Sequence, residues 1–263
     1  MRGNGEGPAE PRTSAPRVAD RIQKVLANSG IGSRREVERW IRLGRIVIDN
    51  EPARLGQQIT GAEKIYLDGR PLRVLTGPQR RQQFLAYYKP TGEITSRSDP
   101  EGRKTVFDQI KPPRSGRWIL VGRLDINTSG LLLLSTDGEL AHRLMHPSYE
   151  IPREYAVRLL GRLSREQLKQ LRTGIELEDG AAKFDGITMS GGSGRNLWYR
   201  VTLHEGRNRE VRRLFEALGV PVSRLIRVRY GPIALGDLHR GDSRPLTREE
   251  SEALYDAVDL PAP

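Results

Sequence analysis

The sequence predicts an α+β protein in two parts: a small module of two helices and a hairpin, then a larger domain built on a mixed, largely antiparallel central sheet flanked by helices. Three observations predict it. The chain has 263 residues, more than one average domain, so two domains with tails is the natural division. Short apolar runs of strand length and stretches of helical period follow one another without regular strand–helix alternation, which argues against a parallel, doubly wound sheet. Between the two parts, residues 77–83 are Gly, Pro, Gln and Arg with neither period, and read as a linker. The domains are then 18–76 and 84–258. Residues 1–17, rich in Gly, Pro, Ala and charge, read as a disordered tail. No fixed repeat of 20–50 residues appears, so the chain is not a solenoid.

In the first part Ile22, Val25 and Leu26 share one helical face. Ser33 suits an N-cap, and Glu36 three residues later completes a capping box ahead of Val37, Trp40 and Ile41. Gly44 stops that helix. Residues 45–49 and 64–67 alternate as short strands, with Asn50-Glu51 and Asp68-Gly69 as turns. In the second part, strands are expected at 84–88, 118–121, 131–135, 154–160, 198–203 and 224–228. Helices are expected at 138–145, 164–173 and 208–218. A last helix at 247–255 begins at Thr247, with Glu250 completing its capping box.

Composition narrows the function. The formal charge is +11 and the basic residues are mostly arginine, 37 against 7 lysines. A globular chain this basic attracts nucleic acid or an anionic surface, and arginine favours bidentate phosphate contacts and stacking on bases. There is no cysteine, which excludes disulfides, thiolate metal sites and thiol nucleophiles. No apolar run approaches the ~20 residues needed to span a bilayer. The N-terminus lacks the apolar core of a secretory signal, so a cytoplasmic protein with no membrane partner is expected. His142 and His146 stand four apart in an expected helix, the spacing of a zinc pair. Arg143 follows the first where a metalloprotease needs glutamate, and no third ligand is evident, so neither metal nor cofactor is expected.

The most informative stretch is Gly122-Arg123-Leu124-Asp125-Ile126-Asn127-Thr128-Ser129-Gly130, running into four leucines and closing at Asp137-Gly138. It sets one carboxylate in a turn between two apolar runs, each short enough to be a buried strand. Asp, Asn, Thr, Ser and Gly bond their own backbone or tolerate unusual dihedrals. Two readings fit: Asp125 caps the turn, or a rigid scaffold presents it as a nucleophile or acid–base group.

This segment resembles the signature of the pseudouridine synthases of the RsuA type, and four further stretches extend the resemblance. They are Leu85-Ala86-Tyr87-Tyr88-Lys89-Pro90-Thr91-Gly92, Arg153-Glu154-Tyr155-Ala156-Val157, Glu205-Gly206-Arg207-Asn208-Arg209-Glu210-Val211-Arg212-Arg213-Leu214, and Leu225-Ile226-Arg227-Val228-Arg229-Tyr230-Gly231. Five motifs stand in the family's order over residues 85–231. Asp99-Pro100-Glu101-Gly102-Arg103 and Ser190-Gly191-Gly192 are similar to the subgroup that acts on the large ribosomal subunit. The module 18–76, with its helix, loop, basic helix and hairpin, resembles the S4 RNA-binding domain. Departures are small: Arg153 and Ser135 stand where the family also uses lysine and threonine.

The resemblance implies isomerisation of uridine to pseudouridine in ribosomal RNA, most simply the 23S RNA or an assembly intermediate holding it, with no protein partner implied. It makes Asp125 the catalytic nucleophile on a flipped-out uridine, without deciding between attack at C1′, addition at C6 and removal of a sugar proton. It assigns Arg212 an ion pair to Asp125, with Arg213 as rival and phosphate contact as the alternative for both. Tyr155 becomes the residue that stacks on the base and handles a proton, although a strand tyrosine also suits a core. Leu225 floors the pocket, and Arg123 slips into the space left by the flipped nucleotide. Lys89, Arg97, Arg207, Arg209, Arg227 and Arg229 are candidate phosphate contacts. In the S4 module Ser33, Arg34, Arg35, Arg39 and Arg42 would meet RNA; the alternative is a solvated basic face. Three other functions compete: a non-catalytic S4-type assembly factor, a synthase acting on small-subunit RNA, and a glycoside hydrolase. The last normally needs two opposed carboxylates.

Overall fold

The structure, a computed structural model, describes residues 19–74 and 82–263. The expected tail (1–17) and residues 77–81 of the expected linker lie outside the described residues. The chain divides into two compact units, the second starting at Gln82. Gln82 and Gln83 both bond Thr136 and belong to that second unit.

In the first unit β1 (Asp20–Arg21) leads into α1 (Ile22–Asn28), followed by α2 (Arg34–Arg42) and short strands β2 (Ile46–Ile48), β3 (Glu51–Pro52), β4 (Gln58–Ile59), β5 (Ile65–Leu67) and β6 (Arg70–Leu72). The capping box is present: Glu36 N–H donates to Ser33 Oγ at 3.1 Å and Ser33 N–H to Glu36 Oε2 at 2.8 Å. One face of each helix and the inner side of β2, β4 and β5 bury Ile22, Val25, Leu26, Val37, Ile41, Ile46, Ile48, Ile59 and Ile65 together. The sheet runs β3-β2-β5-β6, all antiparallel. Its first turn is Asp49-Asn50, one residue earlier than expected, and Glu51 opens β3. The reason is local. Both turn residues have positive φ (48° and 74°), which Asp and Asn adopt more readily than Glu.

The second unit is built on β7 (Phe84–Lys89), β8 (Ile119–Val121), β9 (Ser129–Ser135), α3 (Gly138–Met145), β10 (Arg153–Leu160), α4 (Arg165–Thr173), β11 (Ile175–Leu177) and β12 (Gly180–Ala182). There follow β13 (Gly186–Ser193), β14 (Asn196–Leu203), α5 (Glu210–Glu216), β15 (Val222–Tyr230), β16 (Ile233–Ala234), β17 (Ser243–Pro245) and α6 (Arg248–Asp256). One nine-stranded sheet runs β13-β14-β10-β15-β9-β7-β17, with β8 on β9 and β16 on β15. It is mixed and largely antiparallel, as expected; the parallel pair is β15–β9. Capping boxes start α4 at Ser164 and α6 at Thr247, and Asp137 caps α3. The helix expected from 208 starts at Glu210, because Arg209 is left-handed (φ 49°).

Alternation along the strands makes two cores on opposite faces. Leu132 and Leu134 join Tyr155, Val157, Leu159, Leu214 and Phe215 under α4 and α5. Leu131 and Leu133 join Leu140, Leu144, Tyr230, Leu254 and Tyr255 under α3 and α6. β15 meets β9 closely, with Arg227 opposite Gly130. A Cβ on Gly130 (φ 109°) would lie 2.2 Å from the carbonyl oxygen of Arg227, so only glycine lets the two strands touch at this point.

Candidate active site

β8 and β9 are antiparallel neighbours, and the turn joining them carries Asp125. What distinguishes this turn is that every backbone carbonyl from residue 123 to 128 accepts a hydrogen bond. Arg227 Nη1 reaches Arg123 O at 3.5 Å, and Thr95 Oγ1 donates to Leu124 O at 2.7 Å. Lys89 Nζ donates to Asp125 O at 3.1 Å and to Thr128 O at 2.9 Å. Gly92 N–H holds Ile126 O at 2.8 Å, and Arg212 Nη2 holds Asn127 O at 2.8 Å. Thr128 N–H closes the turn on Asp125 O at 3.0 Å. Three of these donors are buried cations, Lys89, Arg212 and Arg227, which are 0%, 8% and 2% exposed.

The Asp125 side chain is half-buried and lines a cleft of about 610 Å³. The floor holds Tyr155 on β10 and Leu225 on β15, both on the inner face of adjacent strands. Arg123, exposed, lies at the rim beside the turn. The facing wall is the loop 206–209 and the start of α5. Buried Arg153 shapes that wall by donating to Ile151 O and Glu205 O, both at 3.1 Å, and to Tyr230 Oη at 3.2 Å. Arg207 ties it to the β11–β12 hairpin through Gly180 O at 3.0 Å and Ala181 O at 2.9 Å. Arg209 pairs with Glu216 at 3.3 Å and stays largely in solvent.

Electrostatics follow from this burial. Desolvation pushes the Lys89 ammonium down to about 8, while Glu93 and Asp125 pull it back up. Burial likewise lowers Arg212, against the attraction of Asp125. Glu210, buried behind the wall, is raised by desolvation.

The structure brings Asp125, Tyr155, Leu225, Arg123, Arg207 and Arg209 to one cleft and corrects several other expectations. Arg212 makes no ion pair with Asp125 within 4 Å; it bonds the carbonyls of Asn127 and, at 3.1 Å, Val222. It acts on the carboxylate through the field and through the turn. Its rival Arg213 is committed to Asp179, with two bonds of 2.7 and 2.9 Å. Lys89 and Arg227 are too deeply buried to meet phosphate: Lys89 Nζ is spent on carbonyls, and Arg227 bonds Leu131 O and Arg123 O. Arg97 stacks over Phe107 at 4.6 Å and bonds Trp118 O. Arg229 pairs with Glu154 at 3.2 Å. In the first unit Arg34, Arg35, Arg39 and Arg42 are exposed on α2, whereas Ser33 Oγ is engaged by its cap. His142 and His146 stack at 5.5 Å, and among the described residues no group of three or more His, Asp or Glu converges on a metal position. Thr95 was missed, since a hydroxyl that holds a backbone group, here Leu124, leaves no periodic signal.

Residues 83–217 match the RNA pseudouridylate synthase family, and residues 20–70 match the S4 domain. The chain belongs to the RNA pseudouridylate synthase family. It is similar to the protein named ribosomal large subunit pseudouridine synthase B in Escherichia coli O6:H1, with 54% identity over 247 residues, or 93% of this chain and 85% of that relative. The protein of the same name in Yersinia pestis is 53% identical over 246 residues, covering 92% and 77%. A crystal structure described as a pseudouridylate synthase matches with a TM-score of 0.62 at 28% identity, over 89% of this chain and 99% of that one. The family resemblance read from the five motifs is therefore borne out. In this pseudouridylate synthase those motifs, spread over residues 85–231, meet around one cleft and one carboxylate-bearing turn.

Proposed function

We propose that this protein converts a uridine of large-subunit ribosomal RNA to pseudouridine, with Asp125 as the nucleophile. The observation that carries the reading is the turn itself: one carboxylate at a cleft, on a backbone whose every carbonyl is held. A group so fixed loses little freedom when it meets substrate, which is what covalent catalysis and precise orientation require. The large subunit as target is supported by the names of the relatives at 53–54% identity. A ribosomal substrate implies a cytoplasmic enzyme.

The reaction is an isomerisation. The N1–C1′ bond breaks, the uracil turns, C5 bonds to C1′, and the proton on C5 is lost while N1 gains one. No redox partner or energy donor enters that balance. The uridine must first leave its stack, which costs a few kcal/mol and least in a loop. Tyr155 offers an aromatic surface to the everted base, and Leu225 an apolar floor beneath it. Arg212 and Lys89 are positioning residues: they hold the turn and supply positive potential that favours the ionised Asp125. Arg207 and Arg209 line the mouth, Arg123 is placed to occupy the vacated stack, and the exposed arginines of α2 suit phosphates.

The test is Asp125→Asn, assayed by chemical mapping of pseudouridine in large-subunit RNA. Product is expected to vanish with RNA affinity and melting temperature unchanged. Substantial turnover by that variant overturns the assignment, and wild-type protein that forms no pseudouridine in ribosomal RNA overturns the reading as a whole.

A further inference from the structure

One half of the nine-stranded sheet has a face that neither core covers. On β10 and β14 the inward residues Tyr155, Val157, Leu159, Leu197, Tyr199, Val201 and Leu203 all belong to the core under α4 and α5. Their alternates point the other way, and α3 and α6 cover that side over the β7–β9 half and, on β15, Ile226 and Tyr230. The strand register sorts these outward residues into rows. Trp198 on β14 lies opposite Arg158 on β10, which lies opposite Arg224 on β15. In the next row Arg200 stands opposite Ala156, and Ala156 opposite Ile226. In the third, Thr202 faces Glu154, and Glu154 faces Arg229. Cross-strand partners share a face, so four arginines lie on one face with a half-buried tryptophan, Arg158 directly across from it and Arg200 next to it along β14. Glu154 is the acid in these rows, bonded to Arg200 at 3.1 Å and to Arg229 at 3.2 Å.

The chemistry of the patch is specific. Trp198 is bordered on its β13 side by Gly191, where even an added Cβ would meet nothing within 4 Å, so its ring is not walled in by a bulky neighbour. Arg158 is steadied by Ser223 Oγ at 3.0 Å. Arg200 and Arg224 are exposed. An open sheet face that offers an aromatic plane among guanidinium groups can stack bases and neutralise phosphates together, the two contacts by which single strands of RNA are held on other open sheets. Adjacent strands lie ~4.8 Å apart and alternate residues ~6.6 Å apart. The patch thus has room for about two or three nucleotides, as on those sheets. It lies on the side of the sheet opposite the Asp125 cleft, because Ala156 and Ile226 alternate with Tyr155 and Leu225.

We propose that this face is a second RNA-binding surface, which holds a single-stranded segment of the substrate RNA away from the target uridine, with a base stacked on Trp198 and phosphates on Arg158, Arg200 and Arg224. Net charge of this sign and density selects a polyanion. The inference rests on the reading of ribosomal RNA as substrate, and extends it to a surface outside the reaction cleft.

The test uses the full chain and three variants, Trp198→Ala, Trp198→Phe and the double variant Arg158→Gln/Arg224→Gln. The probes are a fluorescein-labelled 12-nucleotide oligouridine and a large-subunit ribosomal RNA transcript. Trp198→Ala is expected to weaken oligouridine binding roughly 5- to 150-fold, the worth of one stacked base. Loss of two phosphate contacts is expected to make the slope of log K against log salt shallower by about 1.4, at ~0.7 per single-stranded phosphate. Trp198→Phe keeps an aromatic plane and is expected to bind within about threefold of wild type. Equal binding by the Phe and Ala variants overturns stacking, whatever Ala does to folding. Wild-type affinity and salt slope in both Trp198→Ala and the double arginine variant overturns the surface. Pseudouridine formation by wild-type protein on the transcript is measured in the same preparations. If it is present while the variants bind normally, this inference alone fails; if it is absent, the proposed function fails first.

Discussion

The contact between Gly130 and Arg227 sets the distance between the nucleophile turn and β15, and replacing that glycine tests how rigidly the site is built. A Cβ at Gly130 would sit 2.2 Å from Arg227 O, 2.5 Å from its N and 2.9 Å from its C. These are backbone atoms in a parallel ladder, so no side chain can swing away. Overpacking of this kind costs about 1–3 kcal/mol. The positive φ of 109° adds about 1–3 kcal/mol for a residue with a Cβ. Gly130→Ala is then about 4 kcal/mol less stable, a large part of the ~5–15 kcal/mol that holds a domain together. Gly122→Ala is the comparison: its φ is 80°, but its nearest neighbours are at 3.9 and 4.0 Å, so it carries the dihedral cost without the clash. Urea unfolding in a Trp40→Phe background reports the second unit, because Trp118 and Trp198 remain. With a slope of ~2 kcal/mol per molar urea, the Gly130 variant is expected to unfold about 2 M earlier than wild type, and the Gly122 variant about half as far. Equal midpoints for the two alanine variants would refute the argument that backbone contact, and not dihedral freedom alone, demands glycine at 130.

Three further outcomes follow, two from the cleft and one from the first unit. Lys89 titrates near 8 in the fold against 10.5 ordinarily. The unfolded chain therefore binds more protons between those values, and this group alone makes stability climb as pH rises across the window. The neutral amine has two hydrogens for the carbonyls of Pro90, Asp125 and Thr128; single-turnover rates are expected to fall above about pH 8, and a rate flat to pH 10 would show that this bond set does not limit catalysis. Arg212→Lys keeps the charge but loses the fork that spans Asn127 and Val222; about 10- to 150-fold slower single turnover is expected, at ~1.5–3 kcal/mol for one charged hydrogen bond, with RNA affinity unchanged, and a rise in Kd without a rate loss would contradict it. Ser33→Ala is expected to destabilise the first unit by about 1 kcal/mol through its lost cap. Arg35→Gln/Arg39→Gln is expected to leave stability alone and weaken RNA binding; the reverse pattern in a paired melt and binding titration would exchange the roles given to serine and arginines.

Elements with their own local signals were legible in advance. The helices α2 and α6 start where Ser33 and Thr247 said they would, because a cap is a bond between residues three apart. β9 was legible as a short apolar run, and it proves buried on both faces. Other elements depended on remote partners. Strand β13 contains Ser190-Gly191-Gly192-Ser193, which has the composition of a loop, and it is extended because β14 pairs with it from Gly186 to Ser193. The bridges β1–β4 and β17–β7 involve two or three residues each and show no periodicity. The start of α5 moved because Arg209 turns left-handed at its mouth.

The sequence by itself settled the α+β class, the order of the motifs and the carboxylate in its turn. It could not sort the arginines and lysines, since a basic residue looks the same in a linear pattern whether it meets solvent or a buried carbonyl. Tertiary structure did the sorting. It buried Lys89, Arg212 and Arg227 against carbonyls 36, 85 and 104 residues away, and left Arg158, Arg200 and Arg224 on an open sheet. Burying a cation is tolerable only where bond partners converge on it, and that convergence is a property of the folded chain.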